Sequence, residues 1–269
     1  MTAASRNRQT ALITGASSGI GLELARLFAA HDFDLIVVAR RARELEALAK
    51  ECREKHDAEV LSLPMDLLAP DAPAELVRQV ESEDLAVDVL VNNAGLLDMG
   101  DFVEIDVETH ERLIQLNIAV LTSLTRRLLP AMVARGGGRI LNLASTSSFQ
   151  PVPTLALYAA SKAFVLSLSE SLAEELKGSG VTVTALCPGV TKTDMFDRAR
   201  AQHATARVLP ELLLSDAADV ARSGFQACMA GRPVVVPGLP NRLLVNMVQL
   251  TPRPLLWAAN DLAKRFTGT

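Results

Sequence analysis

The sequence predicts an open, doubly wound α/β sheet of about seven parallel strands with helices on both faces. Three observations predict it. Seven short apolar or β-branched runs, TALIT, DLIVVA, AEVLSLP, VDVLVN, GRILNLA, VTVTALC and PVVVP, alternate with segments of helical length, the rhythm of repeated βαβ units. The runs are mostly apolar, as strands covered on both faces must be. Right-handed crossovers between such strands favour an open sheet that binds ligands at its carboxyl end.

The first strand, TALIT, runs into Gly15-Ala16-Ser17-Ser18-Gly19-Ile20-Gly21 and then the helix GLELARLFAA. Glycines permit a tight turn and close backbone approach, and the helix start presents free N–H groups and a positive dipole end to a pyrophosphate. Gly15, Ser17, Ser18, Gly19, Ile20 and Gly21 are therefore candidate phosphate-binding residues; a merely structural turn is the alternative. The second strand, DLIVVA, ends at Ala39-Arg40-Arg41, where an adenosine ribose would lie. An acidic residue there accepts a 2′-hydroxyl, and an arginine accepts a 2′-phosphate. Asp32 and Asp34 sit at the opposite end of that strand, so Arg40 favours NADP over NAD. The alternative is that Arg40 and Arg41 are solvated charges opening the helix RRARELEALAK. Asp66, after the third strand, is a candidate partner of the adenine amino group or a helix-capping carboxylate. The fourth strand ends in Asn92-Asn93-Ala94-Gly95, small residues that let backbone run under a cofactor, which makes Asn92, Ala94 and Gly95 candidate contacts.

Two long helices come next, at roughly 107–134 and 155–177. Leu113, Leu116, Val120, Leu124 and Leu128 form an apolar stripe on the first, and Phe164, Leu168 and Leu172 on the second; both stripes are expected to pack on the sheet. Leu121 and Val165 lie on other faces, so a second buried surface, a subunit interface, is also expected. Pro233, Pro237, Pro240, Pro252 and Pro254 break the last stretch into short pieces rich in Leu, Val and Met. This tail would close over the pocket, pack on a second subunit, or lie on a membrane surface, the last reading kept open by Arg242, Arg253, Lys264 and Arg265. No repeat or flexible linker divides the chain, so residues 1–269 read as one domain with a core at about 10–235 and an extension at 236–269.

With 49% hydrophobic residues in 269, the chain has enough apolar mass for a full core, which excludes disorder and small disulfide scaffolds. A net charge of −4 leaves no global basic surface for nucleic acid. Cys52, Cys187 and Cys228 are far apart and leave one thiol unpaired under any disulfide scheme, which suits a reducing compartment. The opening MTAASRNRQT is polar, without the apolar stretch of a signal peptide, so a cytoplasmic location is expected. His31, His56, His110 and His203 are scattered without ligand spacing, so no zinc site is expected.

Tyr158 is the one tyrosine of the chain, and Lys162 is four residues on, which puts both on one face of a helix. A cation that close favours phenolate and is expected to draw the tyrosine pKa down from about 10, so that the phenol exchanges protons with an alcohol or ketone. Tyr-x-x-x-Lys alone usually means a surface pair. Here Ser145 lies 13 residues earlier, just after the strand GRILNLA, at the end where open sheets bind ligands.

With these residues the chain resembles a short-chain dehydrogenase/reductase. The resemblance covers about 10–235 through Thr14-Gly15-Ala16-Ser17-Ser18-Gly19-Ile20-Gly21, Asn92-Asn93-Ala94-Gly95, Asn117, Ser145, Tyr158-x-x-x-Lys162 and Pro188-Gly189-Val190-Thr191-Lys192-Thr193, in family order. It implies a Rossmann-type fold, NADP(H) as cofactor, and a homodimer or homotetramer built on the two long helices. It implies that Tyr158 is the general acid or base, that Lys162 binds the nicotinamide ribose and lowers the Tyr158 pKa, and that Ser145 hydrogen-bonds the substrate oxygen. Asn117 would bend its helix and hold a water in a proton relay. Pro188 and Gly189 would lie against the nicotinamide, with Val190 and Thr193 near its carboxamide and the phosphates. The pocket would be formed by Leu96, Leu97, Phe102, Phe149, Val152, Leu155, Met195 and Phe196, mostly apolar, so the expected substrate is a small hydrophobic carbonyl or alcohol. Fold alone does not establish turnover, so a catalytically idle NADPH-binding protein is the alternative. An epimerase or dehydratase would need a larger C-terminal substrate domain.

Overall fold

The computed structural model describes residues 8–202 and 214–252, together with Pro254. Its strands are β1 (Gln9–Thr14), β2 (Phe33–Ala39), β3 (Val60–Pro64), β4 (Val89–Asn92), β5 (Gly138–Leu143), β6 (Val181–Leu186) and β7 (Val234–Val235). They form one parallel sheet in the order β3-β2-β1-β4-β5-β6-β7, and each lies within or beside one of the seven predicted runs. The described helices are α1 (Gly19–Ala30), α2 (Ala42–His56), α3 (Ala72–Ser82), α4 (Val107–Ile114), α5 (Leu121–Ala134), α6 (Ala156–Glu175), α7 (Asp194–Gln202), α8 (Ala217–Met229) and α9 (Leu239–Leu250).

Alternate residues along a strand point to opposite faces, and the sheet uses both. Ala11 and Ile13 of β1 and Leu35 and Val37 of β2 join the core beneath α1, α2 and α8. Leu12, Ile36 and Val38 join the opposite core with α3 and α5. A third cluster, holding Leu121, Val165, Leu166, Ala185 and Cys187, seats α6 on β6. At the amino end Arg8 pairs with Asp32 at 3.4 Å and Asp34 at 3.9 Å, so both aspartates serve the sheet's far edge, away from any ribose. Cys52, Cys187 and Cys228 are buried and free, and burial pushes their thiols up to about 11, 12 and 12.

The first long helix is one continuous rod, α4 and α5 joined by a π-helical segment at Gln115–Val120. Leu113, Val120, Leu124 and Leu128 are buried as its periodicity predicts. The second helix departs from expectation. Its sheet face carries Ser161, Lys162, Val165 and Ser169, whereas Phe164 is 39% exposed and Leu168 and Leu172 are only partly covered. Small and polar residues line this face because Asn142 of β5 donates to the Ser169 hydroxyl at 2.9 Å and Leu143 accepts from Lys162; a leucine stripe would leave those groups unsatisfied.

In the C-terminal extension α9 buries Val245 and Val248 but exposes Leu239, Leu243, Met247 and Leu250. Its Asn241 lies against the backbone of Gly189, where a Cβ would come within 2.5 Å of the amide oxygen. The described part of the tail therefore walls the carboxyl end of β6; Leu255, Leu256, Trp257, Arg253, Lys264 and Arg265 lie outside the described residues. Among the described residues no helix is long and apolar enough to cross a membrane.

Candidate active site

A cleft of about 270 Å³ opens at the carboxyl ends of the strands, above the boundary between β1 and β4, where the chain leaves in opposite directions. One hydroxyl holds its floor together. Thr14 Oγ1 accepts the backbone N–H groups of Asn93 and Ala94, both at 3.0 Å, and donates to the Val91 carbonyl at 3.2 Å. Asn93 returns the contact by donating Nδ2 to the carbonyls of Thr14 at 2.8 Å and Gly15 at 3.1 Å.

On this floor the glycine turn takes its shape. Gly15 and Gly19 have φ of +68° and +57°, values glycine adopts without strain. Gly15, Ser17, Ser18, Gly19 and Ile20 line the cleft, whereas Gly21 lies beneath it. A Cβ at Gly21 would stand 2.3 Å from Asn93 Nδ2 and 2.5 Å from the Gly15 carbonyl, so this glycine permits packing rather than contact with a ligand. Ser18 precedes α1 without capping it through its side chain, which leaves first-turn N–H groups for an anion. Thr193 faces them: its methyl would be 3.0 Å from a Cβ at Gly19. Uncapped helix start, close backbone approach and an arginine rim fit a dinucleotide phosphate.

Arg40 is exposed at the rim and has no hydrogen bond or ion pair among the described residues. Asp66 also lines the cleft, and its Oδ1 accepts from Leu68 N at 3.1 Å in a local turn; it caps no helix, since α3 begins only at Ala72. Ala94, Gly95 and Pro188 line the cleft. Asn92 does not, because adjacent residues at a strand end point to opposite faces. Its Nδ2 donates to Thr125 Oγ1 at 3.0 Å and Asn142 Oδ1 at 2.9 Å inside the core. Gly189 is turned toward Asn241, and Val190 uses its carbonyl to accept from Ser215 N at 2.8 Å; neither lines the cleft.

At the other end Tyr158 and Lys162 reach the cleft from the first turns of α6, and Ser145 follows β5. Ser145 stands beside the Tyr158 phenol and opposes the rise of its pKa, and its hydroxyl accepts from Ser147 N at 3.1 Å. Lys162 Nζ lies 5.7 Å from the centre of the tyrosine ring and donates to the Leu143 carbonyl at 2.7 Å. The expected depression of the phenol pKa is not found. Burial pushes Tyr158 above its ordinary 10, with the neighbouring Ser145 hydroxyl opposing in part. Burial also brings Lys162 down to about 8. Desolvation disfavours both charged forms and outweighs a cation at this distance. Asn117 sits in the π-helical segment. Its Oδ1 accepts from Leu96 N at 2.8 Å, and its Nδ2 donates to Leu96 O at 2.9 Å and Ser161 Oγ at 3.1 Å. Both amide N–H groups are thus spent on protein.

Leu96, Leu116, Leu143 and Met195 give this end an apolar lining. Phe196 is buried, and Phe102 is 58% exposed, stacked on His110 at 4.5 Å.

Comparison with known proteins agrees with this geometry. The family model described as short chain dehydrogenase matches residues 9–204. The chain belongs to the short-chain dehydrogenase family. A short chain dehydrogenase of Pseudocercospora fijiensis is 35% identical over 189 residues, 70% of this chain and 61% of that protein. A short-chain dehydrogenase of Sphingobium yanoikuyae, solved in complex with NADPH, is 35% identical with a TM-score of 0.79, covering 96% of this chain and 94% of that one. The bulky-bulky ketone specific alcohol dehydrogenase of Comamonas testosteroni is 30% identical with a TM-score of 0.75, covering 97% and 94%.

Within this family member, sequence reasoning missed the Thr14–Asn93 clamp and the pairing of Arg41 with Ser17 and Asp194. A threonine closing a buried strand was the available signal for the first; nothing local marks the second. Thr14→Val keeps the shape but leaves two backbone donors without an acceptor. Chemical denaturation should show a loss of about 1–3 kcal/mol; a change below about 0.5 kcal/mol would mean that the clamp does not hold the floor.

Proposed function

We propose that this short-chain dehydrogenase is an NADP(H)-dependent oxidoreductase acting on a carbonyl/alcohol pair carried by a mainly hydrophobic body. The observation that carries the reading is the convergence of Tyr158 and Lys162, with Ser145 beside the phenol, at one end of a cleft whose other end has an uncapped helix and an arginine without a partner among the described residues. NADP(H) is supported by Arg40 and by the NADPH complex of the Sphingobium relative. A hydrophobic substrate is supported by the apolar lining and by the bulky-ketone specificity of the Comamonas relative.

When bound, the nicotinamide supplies or accepts the hydride. Tyr158 is a phenol kept protonated by burial, suited to handing a proton to a carbonyl oxygen as charge develops there. Ser145 donates a second hydrogen bond to the same oxygen, a preorganised contact that strengthens in the transition state. The Lys162 ammonium stabilises the phenolate left behind and would bind the nicotinamide ribose. Asn117 fixes the Leu96 backbone beside the reacting end. Arg40 would read the 2′-phosphate, and Gly15, Ser17, Ser18, Gly19 and Ile20 would hold the pyrophosphate together with Thr193. Asp66, Ala94, Gly95 and Pro188 complete the cofactor's walls. Three buried, unpaired thiols support a cytoplasmic location.

The test is oxidation of NADPH against a panel of apolar ketones and aldehydes. Tyr158→Phe should leave the NADPH Kd within about twofold and lower turnover by about 10²–10⁴-fold. Retained turnover would remove Tyr158 from the mechanism, and NADPH binding without turnover on any substrate would favour the idle binding protein.

Lys162 is charged below its pKa of about 8 and neutral above it. The kcat/KM for reduction should hold through neutral pH and fall as pH rises past 8, because the phenolate then loses its cation. A profile without a break between about pH 7 and 9 would mean that this charge is not used.

We also propose a homodimer, or a tetramer of such dimers, pairing the 107–134 rod and α6 with their two-fold copies. Val107, Ile114 and Phe164 on these helices are 71%, 42% and 39% exposed, an apolar surface that soluble monomers rarely leave open. Light scattering at low micromolar concentration should give a multiple of 28.8 kDa. A single-chain mass would overturn the proposal.

A further inference from the structure

We propose that Asp194 sets the cofactor preference by competing with the ribose 2′-phosphate for Arg41. The inference rests on the NADP(H) reading above and adds a residue to it.

Arg41 precedes α2 and Asp194 opens α7, 153 residues apart in the chain. They meet across the rim of the cleft. Arg41 Nη1 donates to Asp194 Oδ2 at 3.2 Å, while Nε donates to Ser17 Oγ at 3.2 Å and Nη2 to the Ser17 carbonyl at 3.1 Å. The planar guanidinium is thus fixed over the glycine turn with one edge on Ser17 and one nitrogen on the carboxylate. Glu44 stands further off, 4.0 Å from Nε.

Two further arginines and one further carboxylate, Asp66, line the same cleft. Arg40 is next in sequence without a partner among the described residues, and Arg198 of α7 lines the same cleft. A phosphate monoester dianion is the ligand such a cluster recognises, and it carries more charge than one carboxylate. The Arg41–Asp194 pair is about half exposed on both sides, 42% and 51%, and pairs of that kind are weak and screened. A 2′-phosphate can therefore take the Arg41 nitrogen from Asp194. The carboxylate then remains at the start of α7, where the helix dipole favours it, and repels the phosphate it has yielded to. NADH has a hydroxyl in that place and meets no such repulsion. Asp194 therefore weakens NADPH selectively and keeps Arg41 ordered when no phosphate is present.

The experiment measures the Kd of NADPH, NADH, 2′,5′-ADP and 5′-AMP by calorimetry for the wild-type chain, Asp194→Asn, Arg41→Gln and the double variant. Asp194→Asn should tighten NADPH and 2′,5′-ADP by about 3–10-fold and move NADH and 5′-AMP by less than about twofold. In the Arg41→Gln background the same substitution should lose most of this effect, and Glu44→Gln should have a smaller one. Equal shifts for phosphorylated and unphosphorylated ligands, weaker NADPH binding, or an effect that persists without Arg41 would each overturn the proposal. A wild-type chain that binds NADH more tightly than NADPH would instead overturn the NADP(H) reading itself, whatever the variants do.

Discussion

The cleft depends on one constraint: the segments that leave β1 and β4 must diverge yet stay joined at their roots. The strand order makes the divergence unavoidable, since β1 hands the chain toward β2 and β4 hands it toward β5. Thr14 supplies the joint with a single hydroxyl that makes three hydrogen bonds, and Asn93 closes it from the other side. Because Gly15 and Gly21 both pack on the Asn93 amide, the glycine turn has its shape only while this joint is made. The helix start that faces the cleft is therefore positioned by a buried threonine that never touches it.

The two ends of the cleft solve opposite electrostatic problems. At the reacting end burial dominates, raising the phenol pKa and lowering that of the lysine. An uncharged donor beside a partly suppressed ammonium costs less to hold out of water than an ion pair would. At the rim the arginines stay in water, where an ionised guanidinium costs nothing and can be exchanged between carboxylate and phosphate. A buried Arg41 could not make that exchange, since stripping its partner in a dry site would be strongly unfavourable.

The strands and the chemical motifs were legible in the sequence because each has a strong local signal. Apolar runs, a glycine turn and Tyr158 with Lys162 one turn apart need no tertiary information. What failed depends on which way a side chain faces. Asn92 and Asn93 are neighbours of one type, and only the pleat decides that Asn93 serves the turn while Asn92 bonds Thr125 and Asn142. On α6 the apolar stripe was assigned to the sheet, yet buried partners on β5 select serine and lysine there. Arg41 with Asp194, and Gly189 with Asn241, join segments far apart in the chain, and no periodicity reports such pairs.

The π-helical segment shows how a local irregularity can shape the site through contacts within the protein. A regular helix through 107–134 would advance its residues at a constant angle and keep its apolar stripe on the sheet throughout. The wider turn at Gln115–Val120 turns Asn117 inward while Leu113 before it and Leu124 after it remain buried. Asn117 then holds Leu96 by both its backbone donor and acceptor and holds Ser161 on α6. Its Oδ1 would be 3.2 Å from a Cβ at Gly95, and Lys162 Nζ 3.6 Å from the same point, so a larger residue at 95 would push on both. One helical irregularity therefore sets the spacing between the segment that follows β4 and Lys162, which sits one turn from Tyr158 on α6.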